Sequence, residues 1–73
     1  MSEYVVVIEK GETSFGAYSP DLPGCVAVGE TLEDAERLMR EAIALHIESL
    51  RTHGEPVPEP RAQVRYVAVE GRG

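Results

Sequence analysis

The chain has no tryptophan, one cysteine, two histidines and only seven basic residues, and each shortage removes a class of function. A lone Cys25 forms no intrachain disulfide, and one Cys with two His falls short of the four ligands of a structural zinc site. A reducing cytoplasm is therefore the expected setting, and neither metal nor cofactor is expected. No apolar run approaches the roughly 20 residues that cross a bilayer, and the N-terminus lacks the basic-then-apolar order of a signal peptide. Seven Lys and Arg against thirteen Asp and Glu give a formal net charge of −6 over 73 residues. Such a field repels phosphate backbones, so direct nucleic-acid binding is disfavoured, and it steers a basic protein toward the surface.

Catalytic groups are equally sparse. A metal-dependent nuclease needs several carboxylates brought together, and Asp21 is the only carboxylate on a shaped corner. Its simplest use is to cap a turn through nearby backbone N–H groups. Cys25 with His46 or His53 lacks any local oxyanion site, and a lone cysteine in a short strand usually serves as a small buried hydrophobe. His53, in the last helical turn, suits the negative helix end. Gly11, Gly16, Gly24 and Gly29 do not form a phosphate-cradling loop, and Tyr4, Tyr18 and Tyr66 lack the basic stripe of an RNA-stacking platform. No catalytic residue stands out, and the chain reads as a non-enzyme.

What the sequence has in quantity is local structural instruction. Glu3 to Lys10, with Tyr4-Val5-Val6-Val7-Ile8, reads as a first strand, Gly11 to Ser14 as a turn, and Phe15 to Ser19 as a second strand. Pro20, Pro23 and Gly24 then build a stiff corner, from which Cys25 to Val28 returns as a third strand. Thr31 is a good N-cap, followed by Glu33 and Asp34 in the first turn of a helix from Leu32 to about His53. Along it Ala35, Leu38, Met39, Ala42, Ile43, His46, Ile47 and Leu50 form one apolar stripe that Leu45 widens, with pairs such as Arg37 and Glu41 on the solvated side. Pro56, Pro58 and Pro60 make an extended connector, and Val64, Tyr66 and Ala68 alternate with Arg65 and Val67 as in a fourth strand.

The expected architecture over residues 1–73 is thus one α+β domain of two layers, β-β-β-α-β. Right-handed crossover places the last strand beside the first, giving a four-stranded sheet of order 3-2-1-4 with one long helix on one face. A single helix covers one face only, so Val5 and Val7 on the other are left for a second copy of the chain, and a homo-oligomer, dimer or larger, is expected.

The Tyr/Val-rich first strand, Phe15-Gly16-Ala17-Tyr18, the run Pro20-Asp21-Leu22-Pro23-Gly24-Cys25, Gly29 and Thr31 opening the helix, and Glu41-Ala42-Ile43 followed by His46 together resemble the HicB-like antitoxins of toxin–antitoxin pairs. The resemblance covers nearly the whole chain and implies a fold similar to a cut-down ribonuclease-H-like core. It also implies binding and inhibition of a small basic toxin that cleaves mRNA, by occlusion of the toxin's RNA-binding surface. Tyr18, Asp21, Leu22, Pro23 and Cys25 are the residues expected to form or support the partner-binding surface. Typical members append a ribbon-helix-helix or helix-turn-helix segment that binds DNA; none follows the fourth strand here, so promoter binding by this chain alone is not expected. Two other readings stand beside this one: a stand-alone structural or ligand-binding oligomer, and a residual metal-dependent nuclease using Asp21.

Overall fold

A computed structural model describes residues 2–71. Three short strands, β1 (Val7–Lys10), β2 (Phe15–Tyr18) and β3 (Val26–Gly29), precede one helix, α1 (Leu32–Thr52). The sheet is antiparallel in the order β1-β2-β3, with Ile8 opposite Ala17 and Ala17 opposite Ala27. Those three residues point toward the helix; alternation then turns the neighbouring row of Val7, Tyr18 and Val26 the other way. The β1–β2 turn closes with the Gly11 amide donating to the Ser14 carbonyl at 2.7 Å.

The helix begins where the sequence instructs it to. Thr31 holds an extended conformation and its Oγ1 accepts from the Asp34 amide at 3.0 Å, with Glu33 and Asp34 placing negative charge in the first turn. It ends in a Schellman arrangement: the Glu55 amide donates to Leu50 O at 2.8 Å, and the Gly54 amide to Arg51 O at 3.1 Å. Gly29 settles how closely the helix lies on β3. A Cβ at that position would fall 2.5 Å from the Ala35 backbone nitrogen, so only hydrogen fits between strand and helix.

The core is small, as the chain length dictates. Ala17, Leu22, Cys25, Ala35 and Met39 are buried, with Tyr4, Val6, Ile8, Phe15, Ala27, Ala42 and Ile43 packed around them. Leu38, His46, Ile47 and Leu50 of the expected stripe are half-buried. Leu45 does not extend that stripe: it is 67% exposed, turned off the face on which its neighbours His46, Ile47 and Leu50 are half-buried.

The four-stranded sheet of order 3-2-1-4, and with it the ribonuclease-H-like arrangement, is not what this chain forms; the sheet has three strands and the order is β-β-β-α. Residues 61–70 belong to no strand or helix. The physical reason lies in where the connector is tied. Tyr4 donates its hydroxyl proton to Pro58 O at 2.5 Å, and Asp21 Oδ2 accepts from the amides of Arg61 and Ala62, both at 2.9 Å. The connector is thereby held between Tyr4 and the corner that joins β2 to β3, and residues 63–70 join no sheet among the described residues. The first strand is also shorter than Glu3 to Lys10. Its partner β2 ends at Tyr18, after which the Leu22 amide bonds Ser19 O and Pro20 offers no N–H, so residues 3–6 lack a ladder.

Candidate interaction surface

The Ser19–Cys25 corner is a double turn. The Leu22 amide donates to Ser19 O and the Cys25 amide to Leu22 O, each at 3.1 Å, while Gly24 takes a φ of +84° that a side chain would resist. This geometry drives Leu22 and Cys25 inward, where both are buried, and leaves Pro23 outside and Tyr18 partly so. Of the residues singled out from the sequence, Tyr18 and Pro23 can touch a partner, and Leu22 and Cys25 hold them from beneath. Asp21 accepts backbone N–H bonds, but from amides forty residues distant rather than from its own turn.

Those two amides, Ala62 first and Arg61 second, hold the Asp21 carboxyl below the usual carboxylate range, with the Arg61 charge adding to the effect. Burial pushes the Cys25 thiol up, the opposite of what a nucleophile requires. The Ser19 hydroxyl is buried and finds no hydrogen-bond partner among the described residues. Among the described residues, no three His, Cys, Asp or Glu side chains come together in a group suited to a metal ion. His53 Nδ1 lies 2.8 Å from Ser49 O and finishes the helix end.

The larger feature is the outer face of the sheet. Register aligns Val7, Tyr18 and Val26 in one row and Glu9, Gly16 and Val28 in the next. Val26 and Val28 are each 64% exposed, and no helix covers them. Val5, two residues before Val7, is half-buried and is not among the residues packed on the core. Tyr18 joins this face to the corner, so the apolar strip and the stiff turn form one continuous surface. Sequence reasoning missed Val26 and Val28. Their signal was present in the alternation of Val26 and Val28 with the small Cys25 and Ala27, which marks the small residues as the inward ones. The helix surface opposite is solvated and laced with exposed ion pairs, Arg37 with Asp34 and Glu41 and Arg40 with Glu36, at 3.5–3.6 Å.

A family model for the HicB-like antitoxin of bacterial toxin–antitoxin systems matches residues 4–70. The chain belongs to the HicB-like antitoxin family. Its relatives include a UPF0150 protein of Thermoplasma acidophilum, 39% identical over 62 residues, which cover 84% of this chain and 90% of that protein. A UPF0150 protein of Synechocystis sp. is 37% identical over 67 residues, 90% of this chain and 85% of the relative. An uncharacterized 14.9 kDa protein of Haemophilus phage HP1 is 34% identical over 64 residues; the match takes in 88% of this chain but only 48% of the phage protein. No solved structure matches the chain significantly. Among the described residues, no helix of this HicB-like chain is long and apolar enough to cross a membrane.

Proposed function

We propose that this HicB-like chain is a non-catalytic, toxin-binding antitoxin module of the cytoplasm that neutralises a small basic mRNA-cleaving toxin by covering its RNA-binding surface. The observation that carries the reading is the uncovered apolar sheet face of Tyr18, Val26 and Val28 on a molecule of net charge −6. An interface needs both properties: an apolar centre to desolvate and a charge pattern complementary to a basic partner. Tyr18 is the anchor, since aromatic residues at the centre of an interface carry a disproportionate share of binding energy. Pro23 borders it, and Leu22, Cys25 and the Asp21 bonds to residues 61–62 fix its position. Copies of the chain associate along the β1 flank that holds Val5 and Val7, leaving the corner for the toxin.

The reading is tested with the product of the adjoining reading frame. If that product is a short basic protein, calorimetry is expected to give saturable binding that weakens with added salt, and an mRNA-cleavage assay is expected to show inhibition at stoichiometric antitoxin. Tyr18→Ala should weaken binding by about 30-fold or more, the loss of an anchor worth about 2 kcal/mol. Undiminished binding by Tyr18→Ala, or no binding by the unmodified chain, refutes the reading.

A further inference from the structure

The acidic charge is not spread over the molecule. Residues 11–36 hold Glu12, Asp21, Glu30, Glu33, Asp34 and Glu36 and no Lys or Arg, while the rest of the chain holds seven acidic and seven basic residues. The whole net charge of −6 therefore belongs to one stretch, which builds β2, the corner, β3 and the start of α1. Arg37 and Arg40 pair with Asp34 and Glu36, and Asp21 is bonded to the connector. Glu12, Glu30 and Glu33 have no ion pair among the described residues, and they lie in the turn before Phe15 and in the link after Gly29, at the end of the sheet where those two residues pair. A field so placed steers a basic partner to the β3 side. The opposite edge has no such bias: β1 ends in Lys10, and Arg40 stands across the groove beside it.

β3 is also an open edge of the sheet, and the register tells which of its backbone groups are free. Antiparallel pairs alternate between those that exchange N–H···O bonds and those that do not. The Gly11 amide bonded to Ser14 O fixes the phase: Gly16 and Tyr18 bond to β1, so Phe15 and Ala17 bond to β3, opposite Gly29 and Ala27. Val26 and Val28 are left with their amides and carbonyls turned outward, and no turn or loop bond among the described residues reaches either one. Both also expose their side chains on the outer face. Val26–Gly29 contains none of the proline, lysine or inward-pointing charge that ordinarily blunts an edge.

We infer that an extended segment of a basic protein adds itself to β3, its backbone bonded to Val26 and Val28 and its flanking Lys or Arg side chains set beside Glu12, Glu30 and Glu33. Charge selects this occupant. A second copy of the chain would bring the same unpaired carboxylates to the contact, and like charges across a strand pair repel. The chain's own residues 63–70 belong to no strand while Val26 and Val28 are each 64% exposed, so they do not fill the edge. In strand addition the main chain supplies affinity and the side chains supply choice of partner. Here the Val26 and Val28 backbone supplies the first and the acidic end of the sheet the second. This gives the docking mode for the function proposed above and rests on its claim of a basic protein partner; what it adds is that the contact runs through backbone on the β3 edge.

The test uses the full chain, with the basic product of the adjoining reading frame as probe. In the free chain the Val26 and Val28 amides should exchange with water about 10-fold or more faster than the Ala27 amide, and saturating probe should slow both by about 10-fold or more. A second chain carries N-methylvaline at position 28, made by ligating residues 1–24 to residues 25–73 at Cys25. It should keep its helical circular dichroism, because that N–H bonds nothing in the free chain, and should bind the probe about 10-fold or more weakly. Val26 and Val28 amides already protected in the free chain, amides left unprotected at saturating probe, or full-strength binding by the N-methylated chain overturns the inference and leaves the antitoxin reading intact. No binding by the unmodified chain overturns both. Binding that survives Tyr18→Ala but is lost on N-methylation refutes the Tyr18 anchor and upholds docking on the edge.

Discussion

Replacing Gly29 with alanine tests how the helix is seated, and the structure supplies the magnitude. The added methyl would lie 2.5 Å from the Ala35 nitrogen and 2.9 Å from both Ala35 Cα and the Asp34 carbonyl carbon, where ordinary contact begins at 3.4 Å. All three are backbone atoms of the first helical turn, so no rotamer change relieves the clash. The turn must retreat by about 0.9 Å (3.4 − 2.5), a gap that forfeits roughly a quarter to a half of each dispersion contact beneath it. Those contacts include Ala35 and Met39, both fully buried. The cost falls at the upper end of overpacking, about 3 kcal/mol. A chain of this size is stabilised by only about 4–11 kcal/mol in total. Urea unfolding followed by helical circular dichroism should lose about that 3 kcal/mol, and the melting temperature should fall by about 12–24 °C. Gly16 is the internal control: nothing lies within 4 Å of a Cβ built there, so Gly16→Ala should be neutral or slightly stabilising. A Gly29→Ala variant within about 1 kcal/mol of the parent would refute the close strand–helix seat.

The corner supplies three more tests. Ser19→Ala removes a buried hydroxyl that has no partner among the described residues, so it should raise stability by about 1 kcal/mol, read as a higher urea midpoint. Asp21 is held below its ordinary value of 3.8 by the amides of residues 62 and 61, so its stabilising contribution is complete above about pH 4 and is lost as pH falls through the lowered value. Asp21→Asn should flatten that part of the acid limb and speed hydrogen exchange at the Arg61 and Ala62 amides; an unchanged limb would contradict the tether. Cys25 is buried with its thiol pushed up, so labelling by a thiol reagent at neutral pH should proceed only at the rate of unfolding, and fast labelling of the native chain would contradict its place in the core.

Local instructions were legible in the sequence because each is written in neighbouring residues. Thr31 with Asp34, Glu33 and Gly54 marked both helix ends, and the third strand was displaced by a single residue. The corner was legible as a corner, since Pro20, Pro23 and Gly24 act on their own dihedral angles. What the residues did not disclose was long-range. Alternation in Val64 to Val69 reads as a strand, yet these residues form none, and Asp21 finds its amides forty residues away. The uncovered sheet face was legible in kind, through one helix and a strand apolar on both sides, yet its exposed centre at Val26 and Val28 required the register to be known.

Antitoxin action by this chain depends most on the outer sheet face being where a basic protein lands. Titrating the ¹⁵N-labelled chain with the basic product of the adjoining reading frame and recording amide chemical shifts tests this directly. The perturbed amides should cluster at Tyr18, Val26 and Val28, with the helix residues Arg37, Arg40 and Glu41 unmoved. Shifts concentrated on that helix surface, or none at saturating partner, would contradict it.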